Sequence, residues 1–406
     1  MTIIYFIIIS LTIFYSFQYD GKNGYDQHKS HRFWLVCVLL ICVTGFSYGL
    51  GGDKFVYMRE FEGYPSRLSE LSETIYYKIL FSGQMPLWTI VNFFAKYIFD
   101  SFYVVQLLEA ASINVAAFYL CKQLTDRYFL FVLVYCFTFT YFMLNTDIMR
   151  EGFAISLSLV GVEAYFRNKK VLALLCLIIA SLFHISAAIM LIFPFVRSLK
   201  VSFKTLEIAF FFSLAVWVIS DLLLSKVMIS LLGGVGVLVT KILFYSSQAT
   251  NFLGFLRNAL TYMICPYIIM YYSTKWETSS ERRRRKEKLL SFLLIIAMLA
   301  ISLSGFTRLF NYALIFYLII FADFLYALFE RRQHLISRFG VALVGYILIV
   351  FPYLTVYWPI TKLHYYNLWF PYTCIINEDK AVFIREEAQR EALKVEKTDE
   401  NTRDIE

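Results

Sequence analysis

The chain has little charge and lacks the patterns that mark most metal-dependent or nucleotide-dependent enzymes. Asp, Glu, Lys and Arg make up 17% of its 406 residues, against about 25% in ordinary soluble domains. Its seven cysteines show no C-x-x-C spacing, so neither a zinc site nor a disulfide framework is indicated. No P-loop and no metal-ligand cluster is visible. We therefore expect no cofactor, and chemistry that is independent of a metal ion.

What the chain has instead is apolar residues in long runs. Hydrophobic residues make up 59% of the sequence, and many runs reach the roughly 17–25 residues that cross a bilayer. This predicts an all-α, polytopic transmembrane helical bundle of about 10–12 membrane segments. The first run is expected to be a retained span rather than a signal peptide. The predicted simple spans are 2–17, 34–50, 101–121, 128–144, 149–166, 206–224, 252–272, 289–303, 309–329 and 339–356.

Basic residues in the short loops set the predicted orientation. The loops after the first, third and fifth spans are basic, and residues 282–285 are four consecutive arginines. All these loops can be cytoplasmic at once if the N-terminus lies outside, so the net charge of +8 indicates topology rather than nucleic acid. A simple span at 85–99 would reverse every later loop, so an interfacial or re-entrant outer helix is expected there. The predicted domains are a membrane domain at 1–375, with an outer loop at 51–84, and a charged, partly disordered tail at 376–406.

An apolar stretch at 171–196 has basic residues at both ends, which places both ends in the cytoplasm. About 26 residues suit two half-length helices that meet at a turn. His184 would then lie at the tip of a re-entrant hairpin, where irregular backbone must be buried or line a cavity. The alternative is one tilted helix whose two basic flanks lie on opposite sides of the membrane.

Three polar residues fall at the outer ends of predicted spans: Asp53, Arg150 and Arg308. Arginine near a helix N-terminus favours phosphate oxygens, through the guanidinium fork and free backbone N–H groups. Arg257 could extend such a basic site. The simpler alternatives are arginines that snorkel to headgroups, an Asp53 paired within its loop, and a His184 that is only a hydrogen-bonded core residue.

Four short motifs resemble the signatures of the EpsG family, bacterial membrane proteins related to the Wzy-type polymerases of O-antigen and capsule. R-E-G-F-A at 150–154 and F-H-I-S-A at 183–187 resemble its paired R-x-G-x-A and F-H-x-S-A elements. D-x-x-x-Y at 53–57 and R-x-x-x-Y at 308–312 resemble an early loop motif and a later one. Glu151 stands where glutamine is common. The resemblance covers about residues 1–375 and implies a GT-C-like bundle.

The resemblance also implies an activity: glycosyl transfer that polymerises oligosaccharide repeat units carried on undecaprenyl pyrophosphate. The reaction would take place at the outer face of the bacterial inner membrane, for O-antigen, capsule or exopolysaccharide. A chain-length regulator and other assembly proteins would be partners, besides the lipid bilayer. By this resemblance His184 or Asp53 serves the acceptor hydroxyl, and Arg150 and Arg308 bind pyrophosphate. Arg257 is added to the pyrophosphate site because of its position early in the span at 252–272. The supporting residues would be Ser186, Tyr57, Tyr312 and Glu151.

The sequence leaves two other classes of function open. A polytopic acyltransferase that modifies surface glycans would also use intramembrane His and Arg, but its site would face the cytoplasmic acyl donor. A lipid-linked oligosaccharide flippase would show a repeat of two halves, and no such repeat is visible. The side of the membrane on which Arg150 and Arg308 open separates the first alternative from the polymerase.

Overall fold

Helices make up almost all of the regular structure. The computed structural model describes residues 3–21, 26–138, 140–198, 202–224, 252–302, 304–330, 369 and 372–375. The helices are α1 (Ile3–Tyr15), α2 (Gln27–Gly45), α3 (Lys54–Glu62), α4 (Leu71–Ser82), α5 (Pro86–Phe99), α6 (Phe102–Leu124), α7 (Tyr128–Phe137), α8 (Thr140–Phe142), α9 (Met149–Phe166), α10 (Lys170–Phe183), α11 (Phe203–Leu224), α12 (Phe252–Asn258), α13 (Cys265–Trp276), α14 (Ser280–Ser302) and α15 (Asn311–Glu330). Shorter 3₁₀ or π segments are Ser16–Asp20, Leu68–Glu70, Met143–Asp147, Ile185–Phe195, Ala259–Ile264 and Ser304–Phe310. Within these ranges the β pairing is an isolated bridge between Ser47 and Cys374.

The predicted all-α membrane architecture is confirmed. Within the described residues, four helical stretches are long and apolar enough to cross a bilayer by themselves: Ile3–Asp20, Phe102–Leu124, Phe252–Trp276 and Phe306–Glu330. The predicted spans at 34–50, 149–166, 206–224 and 289–303 coincide with the helices α2, α9, α11 and α14. The predicted span at 339–356 and the tail at 376–406 lie outside the described residues.

The stretch predicted as a span at 128–144 is broken by a sharp bend. α7 ends at Phe137, and the helical segment Thr140–Asp147 leaves it at an angle of 79°. The Thr138 hydroxyl donates to the Val134 carbonyl oxygen at 2.8 Å, and such back-bonding bends helices. The bend turns the segment Thr140–Asp147 toward the start of α9.

The loops predicted to be cytoplasmic meet at one end of the bundle. Lys29 Nζ donates to the Asp126 carbonyl oxygen at 2.5 Å, and the Arg282 guanidinium donates to both Asp126 carboxylate oxygens at 2.5 and 2.9 Å. Arg285 pairs with Glu163 at 3.4 Å. These contacts join the loops after α1, α6 and α9 to the start of α14. We call this end, defined by these residues, the basic end.

The stretch from α10 to Phe195 is a re-entrant hairpin, as the basic flanks predicted. The hairpin starts beside the end of α9, where the Lys169 N–H donates to the Ala164 carbonyl oxygen at 2.9 Å. It returns to the same place, because the Pro194 carbonyl oxygen accepts from Tyr165 Oη and Lys288 Nζ, each at 3.3 Å. Fourteen α-helical and eleven 3₁₀ residues give two arms of about 21 and 22 Å. Both ends therefore lie at the basic end, which excludes the single tilted helix.

Residues near the chain's C-terminal region pack at the opposite end of the bundle, which we call the site end. Tyr48, just after α2, forms two hydrogen bonds with Thr373. The Tyr48 N–H donates to the Thr373 carbonyl oxygen at 3.0 Å, and the Thr373 hydroxyl donates to the Tyr48 carbonyl oxygen at 2.6 Å. The Trp369 indole N–H donates to the Thr146 hydroxyl at 3.3 Å. The predicted outer loop 51–84 contains α3 and α4 at this end. α5 packs against α3, α4, α6 and α10, and its interfacial position stays a prediction.

Candidate functional site

The tip of the hairpin carries a short row of hydrogen-bonded polar side chains. α10 ends because His184 takes an extended conformation (φ −151°, ψ 128°). Its Nδ1 shares a hydrogen bond of 2.5 Å with the Ser186 hydroxyl, which lies 3.0 Å from the hydroxyl of the buried Tyr312. The Phe183 ring stacks on Phe153 of α9 with centroids 5.1 Å apart. The apolar ring thus anchors the tip, while His184 and Ser186 face the start of α15.

The backbone of the tip also has its partners. The His184 N–H donates to the Ala180 carbonyl oxygen at 3.2 Å, and the His184 carbonyl oxygen accepts from the Ala187 N–H at 3.0 Å. Irregular backbone at membrane depth needs such partners, because lipid offers none. The half-buried imidazole of His184 is therefore carried by a turn whose own polar groups are satisfied.

The start of α9 carries Arg150 and a buried carboxylate that interacts with the second predicted arginine. Arg150 is half-buried, and the next residue, Glu151, is only 2% exposed. The Glu151 carboxylate accepts from the Asn311 amide at 3.4 Å and interacts electrostatically with Arg308. Arg308 itself is exposed. One buried carboxylate therefore links the turn of Arg308 to the start of α9, and Asn311 adjoins Tyr312 of the hairpin-tip row.

The outer loop brings Asp53 and Tyr57 to Arg150. The Arg150 guanidinium carbon lies 5.6 Å from the centre of the Tyr57 ring, and the Tyr57 hydroxyl donates to the Asp147 carbonyl oxygen at 3.3 Å. Burial raises the pKa of Tyr57 above its ordinary value, although the charge of Arg150 opposes this. Asp53 is exposed, starts α3 and lies within electrostatic range of Tyr57.

Asp147 fixes the loop that carries Asp53. Its Oδ1 accepts from the Gly52 N–H at 2.7 Å. Gly51 has φ of +100°, and a Cβ on it would lie 2.6 Å from both Asp147 Oδ1 and the Thr146 hydroxyl oxygen. Glycine is required at such a position by both conformation and space. The G-G-D sequence therefore holds the Asp53 backbone directly against the segment before α9.

Beneath this loop lies a buried charged pair that the motifs do not contain. Lys54 and Glu109 are both 0% exposed and interact electrostatically. Lys54 Nζ lies 3.6 Å from the Met149 sulfur, and burial lowers the pKa of Lys54 to about 7. Glu109 Oε1 lies so near Gly152 that a Cβ there would be 2.3 Å away. The glycine of the R-x-G-x-A element is thus the residue that admits Glu109.

Arg257 stands apart from the other predicted site residues. It is exposed on α12 and interacts electrostatically with Tyr262, whose ring lies 5.2 Å from that of Phe310. Phe310 belongs to the turn that carries Arg308. In the described part of the chain, the link between Arg257 and the site runs through these two aromatic rings.

The arrangement has the chemistry of an anion site beside a group that can exchange a proton. Arg150 and Arg308 provide fixed positive charge, and arginine binds phosphate oxygens through paired N–H donors. The imidazole of His184 and the carboxylate of Asp53 are both groups that can accept a proton from a hydroxyl. Among the described residues, no group of three or more His, Cys, Asp and Glu could hold a metal ion.

Comparison with known proteins gives one match, to a family. No curated protein and no solved structure matches the chain. The model of the EpsG family matches residues 32–374. This range includes every residue of the site described above, from Gly51 to Tyr312, and all helices from α3 to α15. The chain is a multi-pass helical membrane protein that belongs to the EpsG family.

Proposed function

We propose that the protein is a polysaccharide polymerase of the bacterial inner membrane. It joins oligosaccharide repeat units that are carried on undecaprenyl pyrophosphate, at the periplasmic or outer face. Membership of the EpsG family and the helical membrane architecture support a polysaccharide polymerase in general. The observation that carries the proposal further is the interaction of Arg308 with buried Glu151, the residue after Arg150, close to Tyr312 and the His184 hairpin tip.

The proposed reaction is a glycosyl transfer. A hydroxyl oxygen of the acceptor sugar attacks C1 of the donor sugar, and the bond between C1 and the pyrophosphate oxygen breaks. The electron pair of that bond leaves with undecaprenyl pyrophosphate, and the hydroxyl proton passes to a base. Arg150 and Arg308 stabilise the negative charge that develops on the leaving oxygen, as fixed donors do in other transfers. Arg257 adds positive charge along the path of the lipid pyrophosphate.

Two residues are candidates for the base. The His184 ring is oriented by its hydrogen bond to Ser186, and an oriented imidazole is a common general base. Asp53 is exposed, so its carboxylate can meet an acceptor that approaches from outside. Ser186 and Tyr312 position His184, whereas Tyr57 and Glu151 position the arginines. Chain-length regulators and other polysaccharide-assembly proteins are the partners that this role implies.

The position of the site weighs against an acyltransferase. The site residues lie at the end of the bundle opposite the basic end, where Lys29, Asp126 and Arg282 meet. Under the positive-inside rule the basic end is cytoplasmic, so the site opens away from a cytoplasmic acyl donor.

Complementation of a deletion strain tests the function and the assigned residues together. The surface glycan is analysed by gel electrophoresis after complementation with the wild type, Arg150→Ala, Arg308→Ala, His184→Ala or Asp53→Asn. The matched control is Arg59→Ala, since Arg59 is an exposed arginine of α3 that bonds its own helix at Phe55. We expect single-repeat glycan in the deletion strain and with Arg150→Ala and Arg308→Ala, and a full ladder with Arg59→Ala at equal protein level.

Other results would contradict specific parts of the proposal. Unchanged chain length together with lost acyl groups indicates the acyltransferase. Complete loss of surface glycan, with lipid-linked units retained inside, indicates the flippase. If His184→Ala restores the full ladder, His184 is a packing residue and Asp53 is the remaining candidate base.

A further inference from the structure

The outer loop contains a cleft that the site described above does not include. It has a volume of about 550 Å³ and lies between the turn at Gly63–Pro65 and one face of α4. Glu70, Glu73, Tyr77, Lys78 and Phe81 line it. Glu70, Glu73, Tyr77 and Phe81 follow one another at spacings of three, four and four residues, which places them on one face of a helix. Tyr76, Ile79 and Leu80 do not line the cleft.

The side chains of this face are arranged for a ligand rather than for a core. No residue of α4 is buried. The Tyr77 and Phe81 rings are stacked with centroids 5.6 Å apart and an angle of 21°, and they are 50% and 66% exposed. They form a flat apolar wall beside the carboxylates of Glu70 and Glu73. A ring face suits the C–H face of a pyranose, and carboxylates accept hydrogen bonds from sugar hydroxyls.

Polar contacts connect the cleft with the arginine site. Lys78 Nζ lies 4.7 Å from the centre of the Tyr64 ring. The Tyr64 hydroxyl donates to Gln84 Oε1 at 3.2 Å, and the Gln84 amide donates to Glu60 Oε2 at 3.1 Å. Tyr64 also lies within electrostatic range of Arg150. Tyr64 thus connects Lys78 of the cleft with Arg150 of the site.

We infer that this cleft binds sugar residues of the donor glycan while its pyrophosphate is held at Arg150. The inference rests on the proposed function. A donor chain is attached to pyrophosphate through its C1 end, so the rest of the chain must leave the arginine site away from the membrane. The outer loop adjoins Arg150, and its cleft presents the aromatic wall and carboxylates that an oligosaccharide needs. The cleft would retain the growing chain between additions.

Kinetics of the full-length protein in proteoliposomes test this inference. The substrate is the lipid-linked repeat unit from the deletion strain, and the variants are Tyr77→Ala and Glu73→Gln. The matched control is Tyr76→Ala, an exposed tyrosine next in sequence that does not line the cleft. Because one aromatic contact with the sugar is lost, we expect a KM about 2 to 10 times higher in Tyr77→Ala, little change in kcat, and shorter polymer. Tyr76→Ala is expected to match the wild type.

The results that would overturn the inference are separate from failure of the proposed function. The inference is overturned if Tyr77→Ala has the same kinetics as the wild type. It is also overturned if Tyr76→Ala and Tyr77→Ala lose activity equally, a result that would indicate that α4 contacts lipid. If the wild type forms no polymer, the proposed function fails. The cleft is then tested by saturation-transfer NMR with the repeat-unit oligosaccharide released from its lipid by mild acid. The inference requires a signal with the wild type and Tyr76→Ala, and its loss in Tyr77→Ala.

Discussion

Gly152→Ala probes the closest packing in the site. A Cβ at this position would lie 2.3 Å from Glu109 Oε1 and 3.0 Å from the Leu144 carbonyl oxygen. Ordinary contacts begin at 3.4 Å, so the Glu109 carboxylate would have to move by about 1 Å. Glu109 is fully buried and Leu144 contributes backbone, so neither has space to move. Overpacking of this kind costs about 1–3 kcal/mol.

The same substitution should impair activity more than stability, because α9 begins with Arg150 and Glu151. If α9 moves instead of Glu109, both residues leave their positions, and a misplacement of about 1 Å can cost about 100-fold in rate. The assays are the unfolding midpoint in detergent and the glycan ladder after complementation. Gly161→Ala is the control, since its Cβ would meet the end of the Leu177 side chain at 2.8 Å.

A double substitution tests whether the effect of Gly152→Ala comes from the steric contact with Glu109. Gly152→Ala combined with Glu109→Ala removes the group that the new Cβ meets. We expect the double variant to be more stable than the sum of the single effects predicts, by about 0.5–3 kcal/mol, as for residues in direct contact. The reasoning is refuted if Gly152→Ala is as stable and active as Gly161→Ala, or if the two effects simply add.

Three further predictions concern the hairpin and the buried lysine. Tyr312→Phe removes the partner of Ser186, and we expect about 1 kcal/mol lower stability and a shorter glycan ladder; an unchanged ladder would remove Tyr312 from the site. Lys288→Met removes one of the two donors to the Pro194 carbonyl oxygen at the hairpin base. A loss of about 1–3 kcal/mol in a melting experiment is expected, and an unchanged melting temperature would contradict this role. Burial lowers the pKa of Lys54 to about 7 from 10.5, so between these values the unfolded chain binds more protons and stability should rise with pH. Lys54→Met should flatten that rise, and an identical pH profile for both proteins would contradict the assignment.

The hairpin was predictable because its evidence lies in the local sequence. Basic residues flank 171–196 on both sides, and His184 interrupts the apolar run, so charge and length together indicate a return to the same side. The contacts of Pro194 with Tyr165 and Lys288 confirm this. The break in the span at 128–144 was not predicted, because hydropathy does not register a threonine hydroxyl that bonds its own helix.

The partners within the site could not be predicted from the sequence alone. Ser186 and Tyr312 are 126 residues apart, and Glu109 meets Gly152 across two helices. Such pairs depend on how each helix is rotated about its axis, and helices that are apolar all round carry little periodicity to indicate this. The motifs at 150–154 and 308–312 pointed to the two segments, but not to the interaction of Glu151 with Arg308 and Asn311.

Reconstitution with purified components is the most direct test of the central claim. The wild-type protein in proteoliposomes is supplied with lipid-linked repeat units extracted from the deletion strain, and both the glycan and the released undecaprenyl pyrophosphate are quantified. The account predicts a ladder of elongated lipid-linked glycans and one undecaprenyl pyrophosphate released for each linkage formed, with both lost in Arg150→Ala. Repeat units that stay single in the presence of folded wild-type protein, without release of undecaprenyl pyrophosphate, would contradict it.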